Sequence, residues 1–179
     1  MARSKQSNDA IALLKAEHRQ VEEYFEQFEK ARDTERKQEL ATRICNALRV
    51  HTTIEEEIFY PAFLEASDDI DIHHEAEIEH EGAKNLIARI EGSSPEDDYF
   101  EPTVRVLSEM IKHHVKEEEK TGGMFSVARE AKMDLVSLGE ELAARKAELE
   151  SGETEEPDMP PPGVGETSGQ VDRLMKETR

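Results

Sequence analysis

The sequence predicts an all-α protein: an up-down-up-down four-helix bundle with an additional C-terminal helix and a disordered tail. Three observations carry that expectation. From about residue 8 to about residue 150, apolar side chains recur at spacings of three and four, with no alternating strand pattern. Ser, Asp, Pro and Gly fall where long helices start and stop. Beyond residue 150 large apolar residues almost vanish and Pro and Gly take over.

The first helix is expected over roughly 9–31, behind Ser7-Asn8-Asp9 as capping candidates. The second covers roughly 35–65, and Pro61 inside it should kink or end it. The third opens after Ser67-Asp68-Asp69 and closes near Gly92. The fourth starts after Ser94-Pro95 or after Pro102 and runs to about 120, where Gly122-Gly123 should interrupt the chain. A shorter fifth helix covers roughly 130–149, with Leu135, Leu138, Leu142 and Leu149. Four long helices with short connections pack as a bundle. Residues 1–150 therefore read as one helical domain. Residues 151–179 read as an acidic Pro/Gly-rich tail, punctuated by Pro157, Pro160-Pro161-Pro162, Gly163, Gly165 and Gly169. Such a segment cannot bury enough surface to offset its chain entropy. Val171 to Lys176 could form a helical turn there, and any protein partner of the tail is unknown.

Charge narrows the function classes. The 179 residues carry 42 Asp+Glu against 23 Lys+Arg, a net −19. The tail holds −4 of this and the first 150 residues −15. Nothing is basic enough for a phosphate-backbone footprint, so no nucleic acid is expected as a partner. No apolar run approaches the roughly 20 residues that span a bilayer, so no membrane association is expected. The start, Met-Ala-Arg-Ser-Lys-Gln, shows no secretory signal. A single Cys45 excludes an intramolecular disulfide framework, fits a reducing, cytoplasmic setting, and reads as a buried inert thiol. Neither a Ser-His-Asp elbow nor a phosphate-binding Gly-rich loop is present.

The inward stripes hold the chemistry. The first helix gives Ile11, Leu14, His18, Val21, Phe25 and Phe28. The second gives Ile44, Ala47, His51, Ile54 with Glu55, Ile58 and Ala62. The third gives His73, Ala76, His80, Ala83, Ile87 and Ile90. The fourth gives Val104, Leu107, Ile111, His114 and Glu118. His51/Glu55 and His114/Glu118 stand four apart, a rotation of about 400°, so each pair shares a face one turn apart. A lone histidine on an apolar stripe is usually a hydrogen-bonded core residue. Here four helices each supply one, from only seven histidines, and two repeat the His-x-x-x-Glu spacing.

A buried carboxylate is costly unless paired or metal-bound, and no Lys or Arg lies in these stripes near the histidines. Imidazole with carboxylate suits iron, and also zinc or manganese. His18, His51, Glu55, His80, His114 and Glu118 are the candidate ligands. Six donors exceed what one tetrahedral zinc needs, so two metals bridged by two carboxylates fit the count better. Nearby groups are assigned elsewhere. His113 points about 100° off the stripe, toward solvent. His74 reads as exposed, and Glu56, Glu57, Glu117 and Glu119 as a solvated face from which one could back a ligand. His73 and Glu77 stay open as extra ligands. Phe25, Ile54, Ile58 and Ile111 read as core.

These residues resemble a known family. The chain looks like a hemerythrin-like protein of the HHE cation-binding class, through Leu13-Leu-Lys-Ala-Glu-His18, Val50-His-Thr-Thr-Ile-Glu-Glu-Glu-Ile-Phe-Tyr-Pro61, Glu79-His80-Glu-Gly-Ala-Lys84 and Lys112-His-His-Val-Lys-Glu-Glu-Glu119. The resemblance implies a bundle around a non-heme di-iron centre. His18, His51, His80 and His114 would be terminal ligands, and Glu55 and Glu118 bridging carboxylates. It implies dioxygen, nitric oxide or peroxide as small ligands, and oxygen, iron or redox sensing and stress response as roles. One departure stands out. The oxygen carriers of that family have His-x-x-x-His on the third helix, and here the residue four before His80 is Ala76. A site with six protein ligands is more open, which shifts weight from reversible oxygen carriage toward redox, peroxide or nitric oxide chemistry. Two alternatives stay in view: a di-iron enzyme with catalase-like or reductase-like activity, and a metal-stapled interaction module.

Overall fold

The computed structural model describes residues 9–152; residues 153–179, which hold all but the first two positions of the expected tail and its possible helical turn, lie outside the described residues. Helix α1 spans Ala10–Lys30 and α2 spans Thr34–Ile54. A π-helical turn, Glu55–Phe59, joins α2 to α3, Tyr60–Ser67. Helix α4 spans Ile70–Glu91 and α5 spans Phe100–Glu119. Two further helices follow, α6 at Met124–Glu130 and α7 at Leu135–Ser151. No strand occurs among the described residues.

The starts follow from local chemistry. The carboxylates of Asp9, Asp33, Asp69 and Asp134 each accept a backbone N–H three residues on, at 2.8–3.2 Å, satisfying a donor that the helix leaves free. The fourth bundle helix begins between its two expected starts, at Phe100, and tolerates Pro102 in its first turn. Gly122-Gly123 does interrupt the chain, but a short helix, α6, follows at once.

Pro61 neither ends nor breaks its helix. The chain widens by one residue just before it, and the Tyr60 N–H reaches back to the Glu55 carbonyl. That extra residue rotates everything after it by about 100°. The expected inward positions Ile58 and Ala62 are therefore only half-buried, while Phe59 and Phe63 are fully buried. The same shift brings the Tyr60 side chain into the interior.

The core is split in two. Val21, Phe25, Phe28, Leu40, Ile44, Leu48, Ile87, Phe100, Val104 and Leu107 fill one end of the bundle. Ile11, Leu14, Ile54, Phe59, Phe63, Met124, Phe125 and Leu142 fill the other. The buried polar side chains lie between them, so α1, α2 and α4 pass from one apolar cluster through a polar layer into the other, while the buried residues of α5 end in that layer at Glu118. Cys45 belongs to the first cluster, and burial together with the Glu91 charge pushes its thiol up to about 12, as an inert thiol requires.

Gly123 fixes where α5 ends. A Cβ there would lie 2.1 Å from the Glu117 carbonyl oxygen and 2.9 Å from that of Glu118. Gly123→Ala should therefore lower stability by about 1–3 kcal/mol through overpacking, and disturb the turn that carries Glu118. Thermal melting checks this. Gly122→Ala, at φ 77° but in open space, is the milder change.

Candidate metal centre

All six residues singled out from the stripes meet in the polar layer, each 0–5% exposed. The four Nε2 atoms face inward. Those of His18 and His51 are 3.2 Å apart, and those of His80 and His114 are 3.3 Å apart. The carboxylates link the two pairs. Glu55 Oε2 lies 3.3 Å from His51 Nε2 and 3.3 Å from His80 Nε2. Glu118 divides its oxygens, Oε2 at 3.4 Å from His18 Nε2 and Oε1 at 3.5 Å from His114 Nε2. Two donors on one metal at about 2.1 Å lie about 3.0 Å apart at right angles and about 3.4 Å apart at tetrahedral angles. The observed spacings fall in and just above that range. Glu55 Oε1 and Glu118 Oε2 are buried with no hydrogen-bond partner, as acceptors awaiting a cation would be.

Behind the inward face runs a second ring. Every Nδ1 faces a carboxylate: His51 to Glu17 at 2.8 Å, His80 to Glu56 at 2.9 Å, His114 to Glu79 at 2.7 Å and His18 to Glu119 at 2.8 Å. The order is cyclic, because each helix backs the histidine of the next one round. Such bonds fix the tautomer and ring orientation and raise the basicity of the inward nitrogen. Cations anchor this ring from outside. Lys146 of α7 lies 2.7 Å from Glu17, Lys84 lies 2.6 Å from Glu56, and Arg19 pairs with Glu119. Glu56 and Glu119 thus hold the outer nitrogens of His80 and His18 rather than forming part of the solvated face, while Glu57 pairs with Arg145 and Glu117 with Lys120.

Tyr60, Glu17 and Glu79 escaped the stripe reading. The Tyr60 hydroxyl lies 3.0 Å from His80 Nε2 and within 3.3 Å of Glu55 and 3.1 Å of Glu118. Burial and these two carboxylates hold the phenol well above its ordinary value, so without metal it is a neutral donor. A signal for the carboxylates was present. Glu precedes His18 and His80, and Glu follows Glu55 and Glu118, the same pattern in both halves of the bundle. Phe125 of α6 stacks on His18 at 5.9 Å. His73 and Glu77 lie outside the centre, and His113 is 63% exposed, as its phase predicted.

Protons take part of a cation's place. Burial alone would push His18 down, but Glu118, Glu55 and Glu119 outweigh it and hold it at about 9. Burial likewise opposes, and Glu55, Glu56 and Glu118 outweigh, at His80, also at about 9. Glu118, despite burial, is driven to about 2 by His114, His18 and His51. Both histidines are raised above 6.5, so their stabilisation of the metal-free fold is complete below about 6.5 and fades as pH climbs through about 9. Glu118 is lowered, so its share is present above 4.5 and is lost as pH falls through about 2. The metal-free protein should melt lower at about pH 9 than at about pH 6. Metal uptake near neutral pH should release at least two protons per chain, from His18 and His80, because ligand nitrogens must be deprotonated. An indicator titration in weak buffer measures that release; no release would contradict the assignment.

Comparison with known proteins places the fold in a family. The pattern of the hemerythrin HHE cation-binding domain matches residues 9–122. The chain belongs to the hemerythrin HHE cation-binding family. Its helical bundle is therefore a cation-binding one. A solved structure of a hemerythrin HHE cation-binding domain-containing protein from Mycobacterium kansasii superposes with a TM-score of 0.69 at 23% identity, covering 80% of this chain and 88% of that one. That likeness is one of fold. A relative named DNA nickase, from Nostoc sp. (strain PCC 7120 / SAG 25.82 / UTEX 2576), is 28% identical over 128 residues, 70% of this chain. The matched region is 35% of that protein, so the chain spans about a third of its relative's length. Helices α6 and α7 lie beyond the family match, yet supply Phe125 and Lys146 to the centre. No helix among the described residues is long and apolar enough to cross a membrane.

Proposed function

We propose that the chain is a non-heme di-iron protein that binds a small ligand, dioxygen, nitric oxide or peroxide, as a sensor or scavenger. His18 and His51 would hold one iron and His80 and His114 the other, with Glu55 and Glu118 bridging. The observation that carries the reading is the linkage of two histidine pairs by two carboxylates, with every outer nitrogen tied to a further carboxylate. Iron at such a site supplies redox chemistry and open coordination positions. The protein orients the imidazoles, excludes bulk water and controls access. A single tetrahedral zinc fits the donors less well, since six donors on four helices exceed a four-coordinate site.

Size selection comes from a cleft of about 90 Å³ beside Ala76, bounded by Glu79, His114, Glu118, Gly123 and Met124. That volume suits a ligand of a few atoms. The name of the cyanobacterial relative is not carried over, because the shared segment is a third of that protein and this chain is strongly acidic. A cytoplasmic setting fits a lone reduced thiol.

Metal analysis of the purified chain with its visible spectrum tests the reading. The expected result is about two irons per chain, from the two-centre ligand count. His114→Ala should lower that ratio. Wild-type protein that holds no iron, and takes up none on anaerobic reconstitution, would overturn the proposal.

A further inference from the structure

Outside the di-metal centre, a second group of metal-ligating side chains stands at the start of α4. His73, His74 and Glu77 bring one donor atom each within 4.8 Å of one another. We propose that this trio is a separate site for a divalent transition metal such as zinc, cobalt or ferrous iron.

His73 Nδ1 is buried and makes no hydrogen bond, although Glu77 Oε2 stands only 3.5 Å away. At that distance the nitrogen and the carboxylate oxygen face each other without a hydrogen bond between them. They are also spaced as two ligands on one cation, since tetrahedral donors at about 2.1 Å lie about 3.4 Å apart. The pair is four residues apart on α4, on one face one turn apart. The His74 ring lies 5.8 Å from that of His73 and is exposed, as is Glu77, so both can rotate onto a shared ion. Among the described residues, no Lys or Arg forms an ion pair with Glu77.

Two imidazoles and one carboxylate within one turn of α4 form a three-donor set that leaves further positions to water. Imidazole selects against magnesium and calcium, which take oxygen donors. The helix N-terminus disfavours a cation there. Asp69, Asp71 and Glu75 in the same turns oppose that effect. The site is distinct from the centre but not remote. The His73 ring meets Tyr60 edge-on at 6.0 Å, and the Tyr60 hydroxyl touches Glu55, His80 and Glu118. The proposal does not depend on which metal fills the centre.

Equilibrium dialysis of the full chain against graded Zn²⁺, with bound zinc counted, tests it. Wild type should bind one more zinc ion than the His74→Ala/Glu77→Gln variant. At that position the variant's affinity should be weaker by more than about tenfold. Both side chains are exposed, so circular dichroism and the thermal midpoint should match wild type. His73 is left unchanged because its ring packs on Tyr60. Co²⁺ in place of Zn²⁺ should give a ligand-field spectrum that loses one component in the variant. Equal zinc stoichiometry and affinity in the two proteins would overturn the proposal. So would wild-type zinc binding that vanishes entirely in a His114→Ala/Glu118→Gln variant that still folds.

Discussion

Glu118→Gln should strip the centre of metal, reducing the content of the purified chain to one ion or none and weakening affinity by more than about 100-fold. This exceeds the 10–100-fold typical of losing a residue that only supports a ligand. Glu118 sends one oxygen to each histidine pair, at 3.4 Å and 3.5 Å. An amide keeps the shape but presents an N–H₂ donor where one of these lone pairs is needed. The loss is also electrostatic, because Glu118 is a principal charge holding His18 and His114 above their ordinary value. Without it those imidazoles fall toward 6.5, so the metal-free variant should show a smaller difference in melting between about pH 6 and about pH 9 than wild type. Glu117→Gln is the control. Glu117 pairs with Lys120 and lines the cleft, and its loss should leave the metal content unchanged. Unchanged metal content in Glu118→Gln would remove the bridging role.

How much of this was legible in the sequence follows from which periodicities survive folding. Helix α1 keeps one phase throughout, and all six of its expected inward residues are buried. Helix α5 does the same from Val104 to Glu118. The second helix could not be read past Glu55, because a one-residue widening leaves no mark in a stripe that assumes uniform spacing. Tyr60 was lost by that slip, although its position next to Pro61 held the clue: a proline within a continuing helix must displace the carbonyl four residues earlier. The outer carboxylates were hidden for another reason. Glu17 and Glu79 lie about 100° from the inward stripe, where a charged residue reads as solvated. They become informative only when the neighbouring helix places an imidazole against them, at 2.8 Å for Glu17 and 2.7 Å for Glu79. The division of the core into two apolar clusters was visible in outline. The first two stripes read apolar, polar, apolar, the third and fourth each interrupt an apolar run with His80 or His114, and four such stripes in register form a polar layer.

Ala76 carries the second large effect. It lies on the inward stripe one turn before His80, where a resident histidine would close the coordination of the His80/His114 side, and its place is taken by the cleft. Ala76→Leu puts three further carbons into a space of about 90 Å³ next to His114 and Glu118. Ala76 offers no donor atom, so the iron-to-protein ratio should match wild type. Entry of a small anion should suffer instead. Azide added to the iron-loaded chain, followed by stopped-flow absorbance, should bind more slowly by more than about tenfold, as expected when a route of this size is filled (about 1.4 kcal/mol or more in the barrier). Overpacking could lower stability by about 1–3 kcal/mol, so the thermal midpoint is measured alongside. Ala76→Gly tests the opposite direction: it widens the cleft at about 1 kcal/mol of helix stability and should bind azide at least as fast as wild type. Azide binding at the wild-type rate in an iron-loaded Ala76→Leu chain would show that ligands reach the centre by another route. Failure of wild type itself to bind azide would count instead against the small-ligand function. The distinction matters because the proposed ligands, at 0–5% exposure, leave entry as the step that the protein itself can control.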